Sequence, residues 1–200
     1  MLVSFSSIQE TKFHDAAASL RGAFGVAEQM PSALRVPDLV TEAAAQRARR
    51  QAAAEVRELE QSLLSLGLDR EVDLELTAQG LLIRVHAPFL FESGRADLRP
   101  EAGKLLGRLA ATLQRFPQAV LVEGHTDSVP ISTGRFPSNW ELSAARAVAV
   151  ARALQEAGIP PARLTATGCG EWRPLDDNAT AAGRERNRRV EIRLSWRPQE

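Results

Sequence analysis

Asp127 and Arg146, 19 positions apart, are the side chains of this chain best suited by type and spacing to do chemistry. Asp127 ends Gly124-His125-Thr126-Asp127, a turn after a short apolar strand. Arg146 is expected on the first turn of the helix that opens at Asn139-Trp140-Glu141-Leu142-Ser143. An aspartate can hold an ammonium group. An arginine can grip a carboxylate through two parallel N–H bonds, which lysine cannot imitate. A free amino-acid centre carries both charges on one carbon, so the pair suits a small zwitterion better than bond cleavage. The plainer alternatives are a turn-capping carboxylate at 127 and a solvated helix charge at 146.

The remaining reactive types make weaker cases. His125 has no second histidine at helix spacing, because His14 and His86 fall in other segments. That argues against a metal site or a hydrolytic pair. Cys169 is the single cysteine, so an internal disulfide is excluded, and neither a base nor a thiolate-stabilising charge pattern adjoins it. Gly168-x-Gly170 lacks the third glycine of a dinucleotide loop. Arg184, Arg186, Arg188 and Arg189 form a basic run, yet acidic and basic residues balance at 25 each and aromatic interleaving is missing. Nucleic acid is therefore not an expected partner. Tyrosine is absent, and Trp140, Trp172 and Trp196 lack the sequence spacing of a stacking platform. No catalytic residue, cofactor or metal is expected.

The elements that must position Asp127 and Arg146 follow from periodicity. The 200 residues allow one packed domain with extensions. Residues 71–197 read as that domain, in the order β-α-β-α-β-β. This is an α/β two-layer sandwich with helices on a mixed sheet, carrying an N-terminal helical extension. Val72–Thr77 and Gly80–Val85 pair around a short turn. A helix starts near Pro100 and buries Ala102, Leu105, Leu106, Leu109 and Leu113. Ala119–Glu123 is a buried strand. Ser138-Asn139-Trp140-Glu141 is a capping box for the next helix, which stops at Gly158. Arg163–Thr167 and Val190–Leu194 complete the sheet.

Residues 26–70 read as a linker and, from about Thr41 to Leu66, a helix. Its Ala52, Val56, Leu59, Leu63 and Leu66 step four-three-four-three, which suits a dimer seam or docking on the chain's own domain. Residues 1–25 hold an amphipathic helix with Phe13, Ala17, Leu20 and Phe24 on one face. No run reaches the ~18 apolar residues of a membrane span. The small, apolar start, Met1 to Ile8, reads either as an exposed terminus or as the exit of a membrane helix lying upstream.

From about Leu81 to Leu194 the chain resembles the OmpA-like peptidoglycan-binding family. Four motifs in order carry the resemblance: Phe91-Glu92-Ser93-Gly94 with Leu98 and Pro100; Gly124-His125-Thr126-Asp127; Asn139, Leu142-Ser143 and Arg146-Ala147; and Gly183-Arg184 with Asn187-Arg188-Arg189-Val190-Glu191-Ile192. Within that family it resembles flagellar stator subunits of the MotB and MotD type, through the long 128–137 loop and the Ser138–Ser143 wording.

The resemblance implies a non-catalytic anchor that binds the diaminopimelate of peptidoglycan stem peptides. Asp127 would take the ammonium and Arg146 the carboxylate. Asn139 and Thr126 would orient the ligand, and Arg188 is the next candidate for its anionic side. Gly94 stands where many relatives have a polar residue, so only its backbone is expected to line the groove. The resemblance also implies a periplasmic location, an inner-membrane anchor, a MotA-like partner, a homodimer, contact with the flagellar P-ring, and a plug made by the Phe13–Phe24 helix. The alternatives are an OmpA-like anchor of a lipoprotein or secretion complex and, more distantly, a peptidoglycan hydrolase.

Overall fold

The computed structural model describes residues 36–77 and 80–195. The chain divides into two compact units, Met1–Leu39 and Val40–Glu200, and of the first only residues 36–39 are among those described. The Phe13–Phe24 helix and the Met1–Ile8 segment lie outside the described residues. No helix among the described residues is long and apolar enough to cross a membrane.

The elements run α1 (Val36–Ser65), β1 (Val72–Leu76), β2 (Gly80–His86), α2 (Ala87–Leu90), α3 (Ala102–Gln114), β3 (Val120–Gly124), α4 (Asn139–Glu156), a 3-10 turn (Pro161–Arg163), β4 (Leu164–Gly168), α5 (Ala181–Asn187) and β5 (Arg189–Ser195). The five strands form one mixed sheet in the order β1-β2-β5-β3-β4. Only β3 and β4 are parallel; β1–β2, β2–β5 and β3–β5 are antiparallel. This is the expected two-layer arrangement. It carries two short helices, α2 and α5, that the sequence pattern did not announce.

The main core fills the space between sheet and helices. Ile83, Val85, Val120, Val122, Val190 and Ile192 meet Leu105, Leu109, Leu113, Val150 and Leu154, all fully buried. β2 and β5 are central strands, so their residues are buried on nearly every position rather than in alternation. Helix α1 begins at Val36, earlier than the expected Thr41, with Pro37 in its first turn, where the missing N–H costs nothing. Its Val56, Leu59 and Leu63 are buried in the domain's own core. Arg115, at the end of α3, bonds Glu58 at 2.9 Å and also pairs with Glu55. Docking, rather than a seam, takes up this part of the four-three stripe, and Leu66 is left exposed.

Helix α4 starts as expected. The Ser138 hydroxyl accepts from the Trp140 N–H at 3.2 Å, and the Ser138 N–H donates to Glu141 Oε2 at 2.8 Å. Arg146 is the eighth residue of this helix, two turns further in than expected. The seven-residue step from Asn139 to Arg146 keeps both on one face. Gly124 allows that face to come down on the sheet: a Cβ at this position would lie 2.1 Å from the Ser143 carbonyl oxygen. The close approach sets α4 directly over the strand end from which Thr126 and Asp127 emerge.

Candidate functional site

Thr126, Asp127, Asn139, Arg146 and Arg188 all line one cleft of about 640 Å³ at the carboxyl end of β3. Asp127 is buried. Its Oδ1 accepts from the Val129 N–H at 3.0 Å, which shapes the start of the 128–138 loop, and its Oδ2 accepts from Arg188 Nη1 at 2.7 Å. Arg188 leads into β5 and is about one-third exposed. Arg189, its neighbour, faces the other side of the sheet, as strand alternation requires.

Arg146 is only 5% exposed, which rules out the solvated-charge reading. Its Nε donates to the Arg95 carbonyl at 2.9 Å and its Nη2 to the Glu92 carbonyl at 3.3 Å. The guanidinium also stacks 5.1 Å from the centre of the Phe91 ring. One edge of the fork is thus spent on the 92–95 loop. Nη1 has no partner among the described residues, so the end-on Nη1/Nη2 edge remains for a ligand. Burial, and next the charge of Arg188, pull the Arg146 pKa down to about 10, with Asp127 opposing. The group stays charged at neutral pH.

Asn139 braces the cleft. Its Nδ2 donates to the carbonyl of Val129 at 3.0 Å and to Glu171 Oε2 at 2.5 Å, with the Asp127 carbonyl at 3.4 Å. Thr126 is 4% exposed, and its hydroxyl has no hydrogen-bond partner among the described residues. A buried, unsatisfied hydroxyl costs about 1–3 kcal/mol. Gly94 has φ of 66° and its backbone lines the same cleft. The loop roof rests on a small second core of Ala96, Phe136 and Leu142.

Sequence reasoning missed a second polar cluster, on the sheet face opposite the helices. Glu123 and Glu191 are register partners on β3 and β5, so their like charges would repel. Arginines offset this: Arg173 and Arg193 hold Glu123 at 2.7 Å each, and Arg189 holds Glu191 at 2.8 Å. Both nitrogens of buried His125 lack hydrogen-bond partners among the described residues, and its ligand atoms lie with those of Glu123 and Glu191 within 4.8 Å of one another. The two carboxylates are engaged by guanidinium groups, so the acidic pair belongs to an ion-paired lattice beside the imidazole. Burial, then the Arg189 charge, lower the His125 pKa to about 4, so the ring is neutral. The only advance signal was a pair of glutamates inside apolar strands. Asn187 belongs to the last of the four motifs and has a structural role that its residue type does not announce. It is fully buried and makes four hydrogen bonds of 2.7–3.0 Å to residues 175–178, fixing the approach to β5.

The cleft and its fold define a class. The OmpA family profile matches residues 90–188. Motility protein B of Bacillus subtilis (strain 168) is 38% identical over 127 residues, covering 62% of this chain and 49% of that protein. Solved structures align with this chain as well. A MotB-like protein from Desulfovibrio vulgaris is 36% identical with a TM-score of 0.70, covering 79% of this chain and 99% of that one. The cell wall anchor of the T6SS from Pseudomonas aeruginosa is 39% identical with a TM-score of 0.64, covering 68% and 96%. The chain belongs to the OmpA family, and it is related both to MotB and to a secretion-system wall anchor. It spans about half the length of the curated relatives it matches.

Proposed function

We propose that this domain is a non-catalytic periplasmic anchor that holds peptidoglycan by the zwitterionic head group of diaminopimelate in the stem peptide. The observation that carries the reading is the convergence of Asp127, Arg146, Arg188 and the unpaired Thr126 hydroxyl on one cleft. In the free protein Asp127 is paired with Arg188. An incoming ammonium shares or replaces Arg188 at Asp127, and the ligand carboxylate takes the end-on edge of Arg146 together with Arg188. One internal ion pair becomes two intermolecular ones. Thr126 supplies a hydrogen bond to whichever ligand atom lies over it. A nucleophile–base pair is not among the side chains that line the cleft, and the arrangement favours holding over cutting.

Relatedness to MotB supports a finer reading. The full-length protein would be a flagellar stator subunit set in the inner membrane, working as a homodimer with a MotA-like partner and able to touch the P-ring. Residues 13–24 would plug its ion path. Deleting residues 13–24 in the full-length protein, expressed with its partner, should then raise ion leakage, followed as cytoplasmic pH or growth. The identity to the T6SS anchor supports a second reading, a wall anchor in another envelope complex.

The test of binding is calorimetry with a diaminopimelate stem peptide against its lysine counterpart, which lacks the distal carboxylate. A charge-assisted hydrogen bond contributes about 1.5–3 kcal/mol, so the lysine peptide should bind roughly 10- to 150-fold more weakly. Asp127→Asn should weaken the diaminopimelate peptide by a similar factor while preserving the loop contact at Oδ1. Equal affinity for the two peptides would remove the zwitterion reading.

A further inference from the structure

Two exposed indoles stand beside the cleft. A Cβ placed on Gly170 would lie 3.5 Å from Trp172 Cδ1 and 3.6 Å from Trp140 Cδ2, so the two rings are at most about 7 Å apart at those atoms. Their sequence spacing gave no hint of this, because Trp140 is the second residue of α4 and Trp172 follows β4. The glycine between them has φ of 54° and is clamped: its N–H donates to the Ser143 hydroxyl and its carbonyl accepts from the Thr126 N–H, each at 2.9 Å. The floor between the rings is therefore rigid and free of side chain. Trp140 is 51% and Trp172 68% exposed, which makes an open shelf rather than a closed cage. Neither indole N–H has a partner among the described residues. Glu171, between the glycine and Trp172, uses Oε2 on Asn139 and leaves Oε1 without a partner among the described residues.

We infer that this shelf is a saccharide subsite, which takes the N-acetylated glycan strand to which the stem peptide is attached. The inference rests on the reading of the cleft as a stem-peptide site. A pyranose ring has an apolar C–H face and a polar edge, which matches indole faces rimmed by free N–H groups and a carboxylate oxygen. A protein partner is a poorer match: two side chains of 150–250 Å² each fall short of the ~800 Å² per side of a stable interface. Position agrees as well. Asn139, which braces the cleft, directly precedes Trp140 and is held by Glu171. A stem peptide joins its sugar within a few residues, and three extended residues reach at most ~11 Å. A head group in the cleft keeps the sugar within range of the shelf.

The experiment compares three ligands by calorimetry: a diaminopimelate stem peptide, the same peptide carrying its N-acetylated disaccharide, and the disaccharide alone. The proteins are the wild type, Trp140→Ala/Trp172→Ala and Trp140→Phe/Trp172→Phe, each checked for fold by circular dichroism. The wild type should bind the glycosylated peptide about five- to tenfold more tightly than the bare one. The alanine pair should lose that preference and keep its affinity for the bare peptide, and the phenylalanine pair should retain most of it. No preference in the wild type, or a preference that survives in the alanine pair, overturns the subsite. Tryptophan-dependent binding of the disaccharide with no binding of the bare peptide would support the shelf and overturn the stem-peptide reading of the cleft.

Discussion

Arg188 and Arg189 are adjacent in sequence and serve opposite faces of the sheet, one on Asp127 in the cleft and one on Glu191 in the buried lattice. The apparent basic run is therefore no patch. That Asp127 and Arg146 belong together was legible from residue type and spacing, and both line the cleft. What Arg146 does with its inner edge was not, because the accepting carbonyls of Glu92 and Arg95 lie more than 50 positions away. The lattice around His125 makes a pH prediction. An unfolded chain protonates this histidine near 6.5, whereas the folded protein holds it neutral down to about 4. The unfolded state thus binds more protons between those values, and stability falls as pH drops through the window, by about 3 kcal/mol below it. At Glu191 burial pushes the carboxyl up, but Arg189 and Arg193 outweigh it and the net shift is downward. Its stabilising share is present above the unfolded pKa and is lost as pH falls through the folded one, so the two act in the same direction. Urea unfolding at pH 4, 5, 6 and 7 should give a shallower dependence for His125→Gln than for the wild type. Parallel curves would show that the imidazole is not the group involved.

At the scale of elements, the long strands and helices followed their periodicities, and the short ones did not. α5 has seven residues with no apolar repeat, and it exists because Thr180 caps it and Asn187 ties its end to the 175–178 loop. α2 spans four residues and is placed by its neighbours rather than by a pattern of its own. α1 shows how one stripe can satisfy two readings. Val56, Leu59 and Leu63 fit a coiled coil as well as a docked helix, and only the facing surface of the domain decides. Leu59→Ala should therefore destabilise this domain by about 2–5 kcal/mol, the cost of a buried leucine truncated in a core. The loss should be independent of protein concentration in thermal melts. A melting temperature that rises with concentration in the wild type and not in the variant would return this stripe to a dimer seam.

For the whole molecule, the division of labour follows the two layers. The helices bury the apolar face of the sheet, the arginine lattice ties β2, β3 and β5 together on the other face, and the cleft sits at a strand end where both layers meet. A cleft built from two or three charge-assisted contacts binds a single head group weakly. On the proposed reading, wall anchoring then has to come from number. Sites linked at a separation the wall can match raise avidity by 10²–10⁴ without a new contact. Joining two copies of this domain through an added parallel coiled coil should increase retention on purified sacculi by at least about 100-fold over the monomer. Introducing Asp127→Asn into one copy of the pair should return retention to nearly the monomer level. Retention that is already tight for the monomer, or unchanged by that single substitution in the pair, would mean that the wall is held through a surface other than this cleft.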